Sequence, residues 1–320
     1  MRNAFADELL KQSKLRDDIV LVTGDIGNRL FDPFKEANPN NFYNAGVAEA
    51  NAIGMAAGLS MGGFKPIVYT IATFVTARCF EQIKVDVCYN GNPVIIVGVG
   101  GGFSYAGNGA THHSFEDIAI LRSLPEISIV APADSYEVRG ALRAALKHDK
   151  PVYLRLGKKN EPLVHDSVPN FSIGKSIRLK KGNEVCILST GNITPEAMAA
   201  AEMLETEGIS TELMSFHTIK PLDREYLEEA FNNFRLVVTV EEHGIIGGLG
   251  GAVSEWKAAE ELRSEITAKL LSVGAKDSFM HRSGNQTYAR KHFGLDSESI
   301  RSRITEVYEK TYLSELGVSF

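Results

Sequence analysis

Short uncharged apolar runs alternate with helical patterns along the first half of this chain, and this alternation restricts the possible fold most strongly. Such runs are apolar on both faces, which is typical of parallel strands covered by helices on both sides of a sheet. The pattern therefore predicts a doubly wound α/β domain with strands at Ile19–Thr23, Pro66–Thr70, Val94–Val99, Ile127–Val130 and Val152–Leu154.

The pattern stops near Gly157–Ser172, where charges and prolines follow one another without a period, as expected of an interdomain linker. It restarts at the strand-like run Val185–Ser189 and continues with alternating strand and helix signals. A length of 320 residues is enough for two ordinary α/β domains. We therefore predict two domains, at residues 1–165 and 175–320, both of the doubly wound α/β class.

Composition excludes several classes of function. A net charge of −6 gives no reason to expect a nucleic-acid partner. The N-terminus resembles an amphipathic helix rather than a signal peptide, and no apolar run is long enough to span a bilayer. The three cysteines lie in apolar surroundings without metal-ligand spacing, which indicates buried thiols in a reducing compartment. These observations predict a cytoplasmic protein without a membrane partner.

Glu49 is the only charged residue between Phe42 and Gly63. The segment is rich in Ala, Gly and apolar residues, which predicts a helix packed on most of its sides. Burial favours the protonated form of a carboxyl group, and a protonated carboxyl group can donate a hydrogen bond. The alternative is an ordinary glutamate at a helix start, stabilised there by the helix dipole. The segment alone leaves both interpretations open.

A glycine-rich loop from Gly98 to His113 is the second feature that suggests chemistry. Glycines at this density indicate tight turns or a backbone that approaches a ligand closely. Asn108, His112 and His113 follow the first glycines, and adjacent histidines could serve proton transfer. A zinc site is less favoured because no Cys or carboxylate completes a familiar spacing. Solvated loop histidines are the alternative.

Four further polar or aromatic residues follow predicted strands, where open α/β sheets bind their ligands. Asp25 follows the first strand, Phe74 and Arg78 follow the second, and Arg155 follows the last predicted strand of the first domain. An aromatic face beside a fixed cation suits a flat heterocycle and an anion, and a guanidinium can bind phosphate. Core packing of Phe74 and a surface ion pair of Arg155 are the alternatives.

Four segments together resemble the transketolase family in order and spacing: GVAEANAIGMAAGLSMGG, TFVTARCFEQIKVD, GNGATHHSFEDIAILRSLP and IVAPADSYEV. The match covers nearly the whole chain but only the later two-thirds of a full transketolase. The resemblance implies a pyrimidine-binding domain followed by a transketolase C-terminal domain.

The resemblance also implies thiamine diphosphate as cofactor. Glu49 occupies the place of the activating glutamate of the family, which hydrogen-bonds the aminopyrimidine ring, and Phe74 occupies the place of the aromatic residue that stacks on that ring. Asp25 and Arg78 are predicted to complete the cofactor site.

For the sugar substrate, the resemblance places His112 in a catalytic and binding role, with His113 beside it. Asn108 stands where many members carry Asp, and Gly100–Gly102 stand where many carry another His. Arg155 is the best match for the phosphate-binding arginine, with Lys158 as a residue that could share that place.

The G-D-G…N motif, through which the family holds the diphosphate and its Mg²⁺ (or Ca²⁺), is not found in this chain. We therefore predict no metal ligand here. An N-terminal transketolase subunit would contribute the diphosphate-binding domain, and an α2β2 assembly is expected. The predicted activity is transfer of a two-carbon ketol unit from a ketose to an aldose, with phosphosugars as the expected substrates.

Two alternatives stay open at this point. The chain could be the β half of a 2-oxoacid dehydrogenase or a deoxyxylulose-phosphate synthase-like enzyme. It could also be a non-catalytic paralogue that only binds.

Overall fold

The computed structural model describes residues 1–27, 29–262 and 266–315. Residues 316–320, which the predicted second domain includes, lie outside the described residues. Two open α/β sheets, each with helices on both faces, account for these residues, so the predicted fold class is confirmed.

Within the described residues, the first sheet has seven strands in the order β10-β5-β6-β4-β3-β1-β2, all parallel except β10. Its strands are β1 (Ile19–Thr23), β2 (Phe42–Asn44), β3 (Lys65–Ile71), β4 (Ile95–Val99), β5 (Ser128–Val130), β6 (Val152–Leu156) and β10 (Thr218–Lys220). The strands predicted for the first domain are all present. The short edge strands β2 and β10 were not predicted.

Helices cover both faces of the first sheet. The helices of this domain are α1 (Arg2–Ser13), α2 (Asp32–Ala37), α3 (Glu49–Met61), α4 (Ala72–Thr76), α5 (Phe80–Gln82) with the π-helix Ile83–Tyr89 that continues it, α6 (Asp117–Arg122) and α7 (Ser135–Lys147). Helices α1, α2 and α7 share one apolar cluster with the sheet. Helices α3 to α6 contribute to a second cluster on the opposite face. Covering both faces in this way is what allows the central strands to be apolar throughout.

The second sheet has the order β12-β11-β8-β9-β7 within the described ranges, with β7 antiparallel to its neighbour. Its strands are β7 (Ile177–Lys180), β8 (Val185–Thr190), β9 (Thr211–Ser215), β11 (Leu236–Gly244) and β12 (Lys269–Ala275). Its helices are α8 (Thr194–Thr206), α9 (Arg224–Asn233), α10 (Leu249–Glu260), α11 (Gln286–Phe293) and α12 (Ser297–Glu315).

Two features join the sheets into one body. Strand β10 follows the second-domain strand β9 in the chain but pairs antiparallel with β5 of the first sheet. The cluster on the α3 side of the first sheet also continues into the second domain, through residues such as Leu188, Phe231 and Trp256. The interface therefore has an apolar interior, and the second domain holds a fixed position relative to the loops of the first.

No helix in the described parts of the chain combines the length and the apolar character needed to cross a membrane. The three cysteines are buried, as predicted, and burial raises the pKa of the Cys88 thiol to about 11.

Candidate functional site

Three predicted site residues meet where parallel strands of the first sheet end. Glu49 begins α3, Phe74 lies in α4 directly after β3, and His112 belongs to the loop that follows β4. Since the carboxyl ends of these strands share one edge, residues far apart in the chain come together there.

Glu49 is buried at a surface that is otherwise open. Its residue is only 4% exposed, and its Oε2 accepts a hydrogen bond from Arg78 Nη1 at 2.7 Å. The Arg78 side chain itself is 56% exposed. Among the described residues, Oε1 of Glu49 has no hydrogen-bond partner, so one carboxylate oxygen is available to a ligand.

Phe74 contacts both Arg78, the partner of Glu49, and His112. The Arg78 guanidinium carbon lies 5.2 Å from the centre of the Phe74 ring, and the His112 ring lies 5.2 Å from it on an edge contact. Thr111 Oγ1 and His112 Nδ1 are 3.0 Å apart, and Thr73 Oγ1 donates a hydrogen bond to the Thr111 carbonyl oxygen. The site therefore combines a carboxylate, a cation, an aromatic face and an imidazole along one surface.

Burial, and then the nearby His113, lower the pKa of His112 below its usual value. His112 is therefore neutral at neutral pH, with one ring nitrogen able to accept a proton.

Asp25 lies at the rim of this surface. Its backbone N–H donates to the carbonyl oxygen of Gly46, and its Oδ1 accepts a hydrogen bond from Asn44. Gly46 has a positive φ of 68°, and no atom lies within 4 Å of the place that a Cβ would occupy. The turn that leads into Glu49 is therefore open.

His113 is more deeply buried than its half-buried neighbour His112. It is 4% exposed, its Nε2 lies 3.1 Å from the carbonyl oxygen of Ala106, and its ring packs against Phe103 and Phe115. We therefore correct the expectation that His113 faces substrate, since the loop turns its imidazole toward the second domain. Asn108, by contrast, is exposed on the same loop.

Arg155 is also buried, at 3% exposure. Its Nε donates to Asp117 at 2.7 Å, and its Nη2 donates to the carbonyl oxygens of Ser114 and Glu242 at 2.8 and 3.0 Å. Burial raises the pKa of Asp117, but the Arg155 charge, His243 and the hydrogen bonds from Arg155 and Tyr153 together outweigh burial and hold that pKa below its usual value. The expectation that Arg155 binds a substrate phosphate is therefore corrected. Its guanidinium joins the two domains.

The first glycines of the loop make room for these side chains. Gly100 and Gly102 have positive φ angles of 87° and 64°, which glycine adopts without steric cost. A Cβ at Gly101 would lie 2.9 Å from Arg155 Nε, and one at Gly102 would lie 2.7 Å from the Glu242 carbonyl oxygen. The backbone at these glycines does approach other atoms closely, as expected. Those atoms belong to Arg155 and Glu242 and not to a ligand.

Lys158 contacts Tyr105, whose ring neighbours that of His112. It is half-buried, and its Nζ is 4.9 Å from the centre of the Tyr105 ring. The Tyr105 ring lies 6.2 Å from that of His112. Tyr105 is thus a residue that sequence reasoning missed, because it lies between the glycines and the histidines without a motif of its own.

Glu242 was missed as well. It is completely buried in β11, and its Oε1 accepts a hydrogen bond from the backbone N–H of Phe103 at 2.7 Å. A signal for it exists in the chain, since the apolar run Leu236–Val240 continues directly into the charged residues Glu241, Glu242 and His243. Charged residues at the end of a buried strand require partners, and here the first domain supplies several.

The residues present fit the pyrimidine end of thiamine diphosphate. The free Glu49 oxygen could bond a ring nitrogen or amine, Phe74 offers an aromatic face, and the turn at Gly46 leaves space beside them. In the described part of the chain, no group of three His, Cys, Asp or Glu residues could hold a metal ion.

Comparison with known proteins gives two family matches that together span most of the chain. Residues 1–162 match the pyrimidine-binding domain of transketolase, and residues 174–300 match the transketolase C-terminal domain.

Similar proteins include two that are named as transketolase subunits. The chain is 36% identical to a subunit of the apulose-4-phosphate transketolase of Phocaeicola vulgatus, with 97% of each chain covered. It is 35% identical to a 6-deoxy-6-sulfo-D-fructose transketolase subunit of a Clostridium species, covering 97% of this chain and 95% of the relative.

Solved structures agree with these matches. A structure described as a split gene transketolase, inactive beta4 tetramer, superimposes with a TM-score of 0.86 at 33% identity, covering 96% of this chain and 97% of that one. A transketolase of Pichia stipitis shares the fold with a TM-score of 0.80 at 20% identity. This chain covers 46% of that protein's length, which is less than the two-thirds that the sequence resemblance led us to expect.

Proposed function

Because the chain belongs to the transketolase family, as the C-terminal subunit of a split enzyme, we propose that it helps to transfer a two-carbon ketol unit from a ketose to an aldose. The observation that carries the proposal is the buried Glu49 carboxylate, with one free oxygen, beside Phe74 and His112 on one open surface. Thiamine diphosphate, when bound, supplies the carbanion that breaks and forms carbon–carbon bonds.

Each residue has a distinct task in this proposal. With thiamine diphosphate bound, Glu49 would hold a proton against the pyrimidine ring, and Phe74 would orient that ring by packing against its face. Arg78 holds Oε2 of Glu49, which would leave the free Oε1 to bond the ring. His112, neutral at neutral pH, exchanges protons with sugar hydroxyl groups, and Asn108 binds the sugar as an amide donor and acceptor.

The anionic end of the sugar is assigned to Lys158 rather than Arg155. Lys158 Nζ lies over the Tyr105 ring, on the side of the loop that carries His112, whereas the Arg155 guanidinium is already engaged by the protein. Two similar proteins are named for ketoses with a phosphate or a sulfonate group. We therefore expect an anionic ketose as donor.

A partner polypeptide completes the site in this proposal. It would hold the diphosphate and its Mg²⁺ (or Ca²⁺) and would dock on the surface around Glu49. Val47, two residues before Glu49, is an exposed apolar side chain on that surface, at 83% exposure. Glycines 54 and 58 of α3 leave open space for the close approach of another chain. An α2β2 assembly follows from pairing two such units.

The test is reconstitution. The chain is assayed alone and with its co-purified partner, with thiamine diphosphate and Mg²⁺, against a panel of phosphorylated and sulfonated ketoses, aldoses and pyruvate, with products identified by mass. We expect no turnover by the chain alone and ketol transfer by the complex. Full transfer by the isolated chain would refute the split site. Decarboxylation of pyruvate would favour the synthase or dehydrogenase function, and a complex that consumes no ketose and no pyruvate would favour a binding paralogue.

A further inference from the structure

The loop that carries His112 is built into the second domain at its base. The Phe103 side chain is fully buried in the apolar cluster of the second domain, where its ring stacks on Phe293 with centres 4.9 Å apart. Ala106 belongs to the same cluster. The first residues of the loop are therefore part of the second-domain core, although the chain reaches them from the first domain.

Glu242 holds the backbone at this point. Its Oε1 accepts hydrogen bonds from the Phe103 N–H at 2.7 Å and from Gln286 Nε2 at 2.9 Å. Its Oε2 accepts from Arg290 Nε, and Arg290 Nη2 in turn donates to the Asn192 carbonyl oxygen at 2.9 Å. Both carboxylate oxygens are occupied, so the carboxylate has a single orientation.

The opposite end of the loop returns to the same place. Gly102 and Ser114 exchange two backbone hydrogen bonds of 3.0 Å, which close the loop at its base. Arg155 binds the Ser114 carbonyl oxygen and the Glu242 carbonyl oxygen with one nitrogen. Residues 103–113, with His112 among them, therefore project from a base that Glu242 and Arg155 fix together.

We propose that Glu242 is a positioning residue for the substrate loop: through Phe103 it sets the place of His112 relative to Phe74. This inference rests on the proposed function for the role of His112, but its structural part does not depend on that role. In this proposal the second domain contributes to substrate binding through the Glu242 carboxylate, which itself contacts neither substrate nor cofactor. A displacement of about 1 Å at a reacting group is enough to reduce activity strongly.

The test compares Glu242→Gln with a matched control, Glu212→Gln. Glu212 is another buried carboxylate of the second domain, paired with Arg178 at 3.1 Å, and it has no contact with the loop. Gln286→Ala serves as a milder second variant, because it removes two hydrogen bonds from Glu242 and keeps the Arg290 ion pair.

Hydrogen exchange of residues 102–114 is measured in the full chain, and kcat, KM and half-saturation by thiamine diphosphate are measured in the reconstituted complex. Loss of a hydrogen bond to a charged group should speed exchange of the loop, and raise the KM for the ketose, by about tenfold in Glu242→Gln. Half-saturation by the cofactor should stay unchanged, since Glu49 and Phe74 are not displaced. Gln286→Ala should change the same two quantities less, and Glu212→Gln neither.

Unchanged loop exchange in both Glu242→Gln and Gln286→Ala would overturn the anchoring. Faster exchange with an unchanged KM would overturn the positioning of substrate. Should the wild-type complex transfer no ketol unit, the proposed function fails, while the exchange data still decide whether Glu242 anchors the loop.

Discussion

At the scale of single residues, neighbours decide what a charged side chain can do. Glu49 and Arg155 are both almost completely buried, at 4% and 3% exposure. Arg155 uses its donors on the protein, whereas Glu49 keeps one oxygen free beside an exposed arginine. Burial alone therefore does not mark a functional residue. A buried polar group with an atom that makes no hydrogen bond within the protein is the more useful sign.

Glu49→Gln should keep the fold and reduce turnover of the reconstituted enzyme by roughly 100-fold or more, because an amide cannot exchange a proton with the cofactor. Stability should hardly change, because an ion pair with an exposed arginine contributes little to it. Initial rates and thermal unfolding midpoints check both statements. Glu81→Gln, an exposed glutamate of the nearby α5, is the control, and wild-type turnover in Glu49→Gln would remove Glu49 from the mechanism.

At the scale of elements, strand β11 connects the two domains through its carboxyl end. Glu241 accepts hydrogen bonds from the Leu249 and Gly250 N–H groups at the start of α10, and Glu242 accepts one from the Phe103 N–H in the loop that carries His112. His243 lies between them and the first domain, with Nε2 3.8 Å from Asp117 Oδ1. The turn after this strand, rich in glycine, thus packs a helix and a strand together.

Burial lowers the pKa of His243 to about 4 and raises the pKa of Glu241 to about 7. As pH falls below about 6.5, the unfolded chain protonates the histidine before the folded protein does, so the stability due to His243 is present above that pH and lost below it. Glu241 acts in the opposite direction, because its stabilising contribution is present below about pH 4.5 and is lost as pH rises through about 7.

His243→Gln isolates the histidine contribution. Between about pH 7.5 and about pH 5, the wild type should lose about 2 kcal/mol more unfolding free energy than the variant does. Urea unfolding of both proteins at the two pH values measures the difference. Equal losses in both proteins would show that His243 is charged in the folded state.

At the scale of the whole molecule, the two domains share one apolar cluster and one sheet edge. Arg155 bridges the interface between the domains, because it donates hydrogen bonds to Asp117 of the first domain and to the Glu242 carbonyl oxygen of the second. We therefore expect the domains to unfold as one unit rather than separately.

Arg155→Met should lower the unfolding free energy by about 3–5 kcal/mol, because it leaves the buried Asp117 without its cation. Arg301→Met, which breaks a surface ion pair with Glu207, should change it by less than about 1 kcal/mol. Denaturant unfolding followed by two spectroscopic probes measures both effects. Two separate transitions in the wild type would contradict the single unit.

The sequence by itself determined the fold class, the family, the helix that carries Glu49 and the positions of Phe74 and His112 after strands, because apolar periods and chain order carry that information locally. It could not determine the orientation of His113 and Arg155 or the purpose of Gly100–Gly102. Those depend on the second domain, whose strand β11 reaches the loop from more than 120 residues away in the chain. Only the tertiary structure decides which side of a loop is covered, since burial and hydrogen bonding there arise from contacts between segments that no local pattern connects.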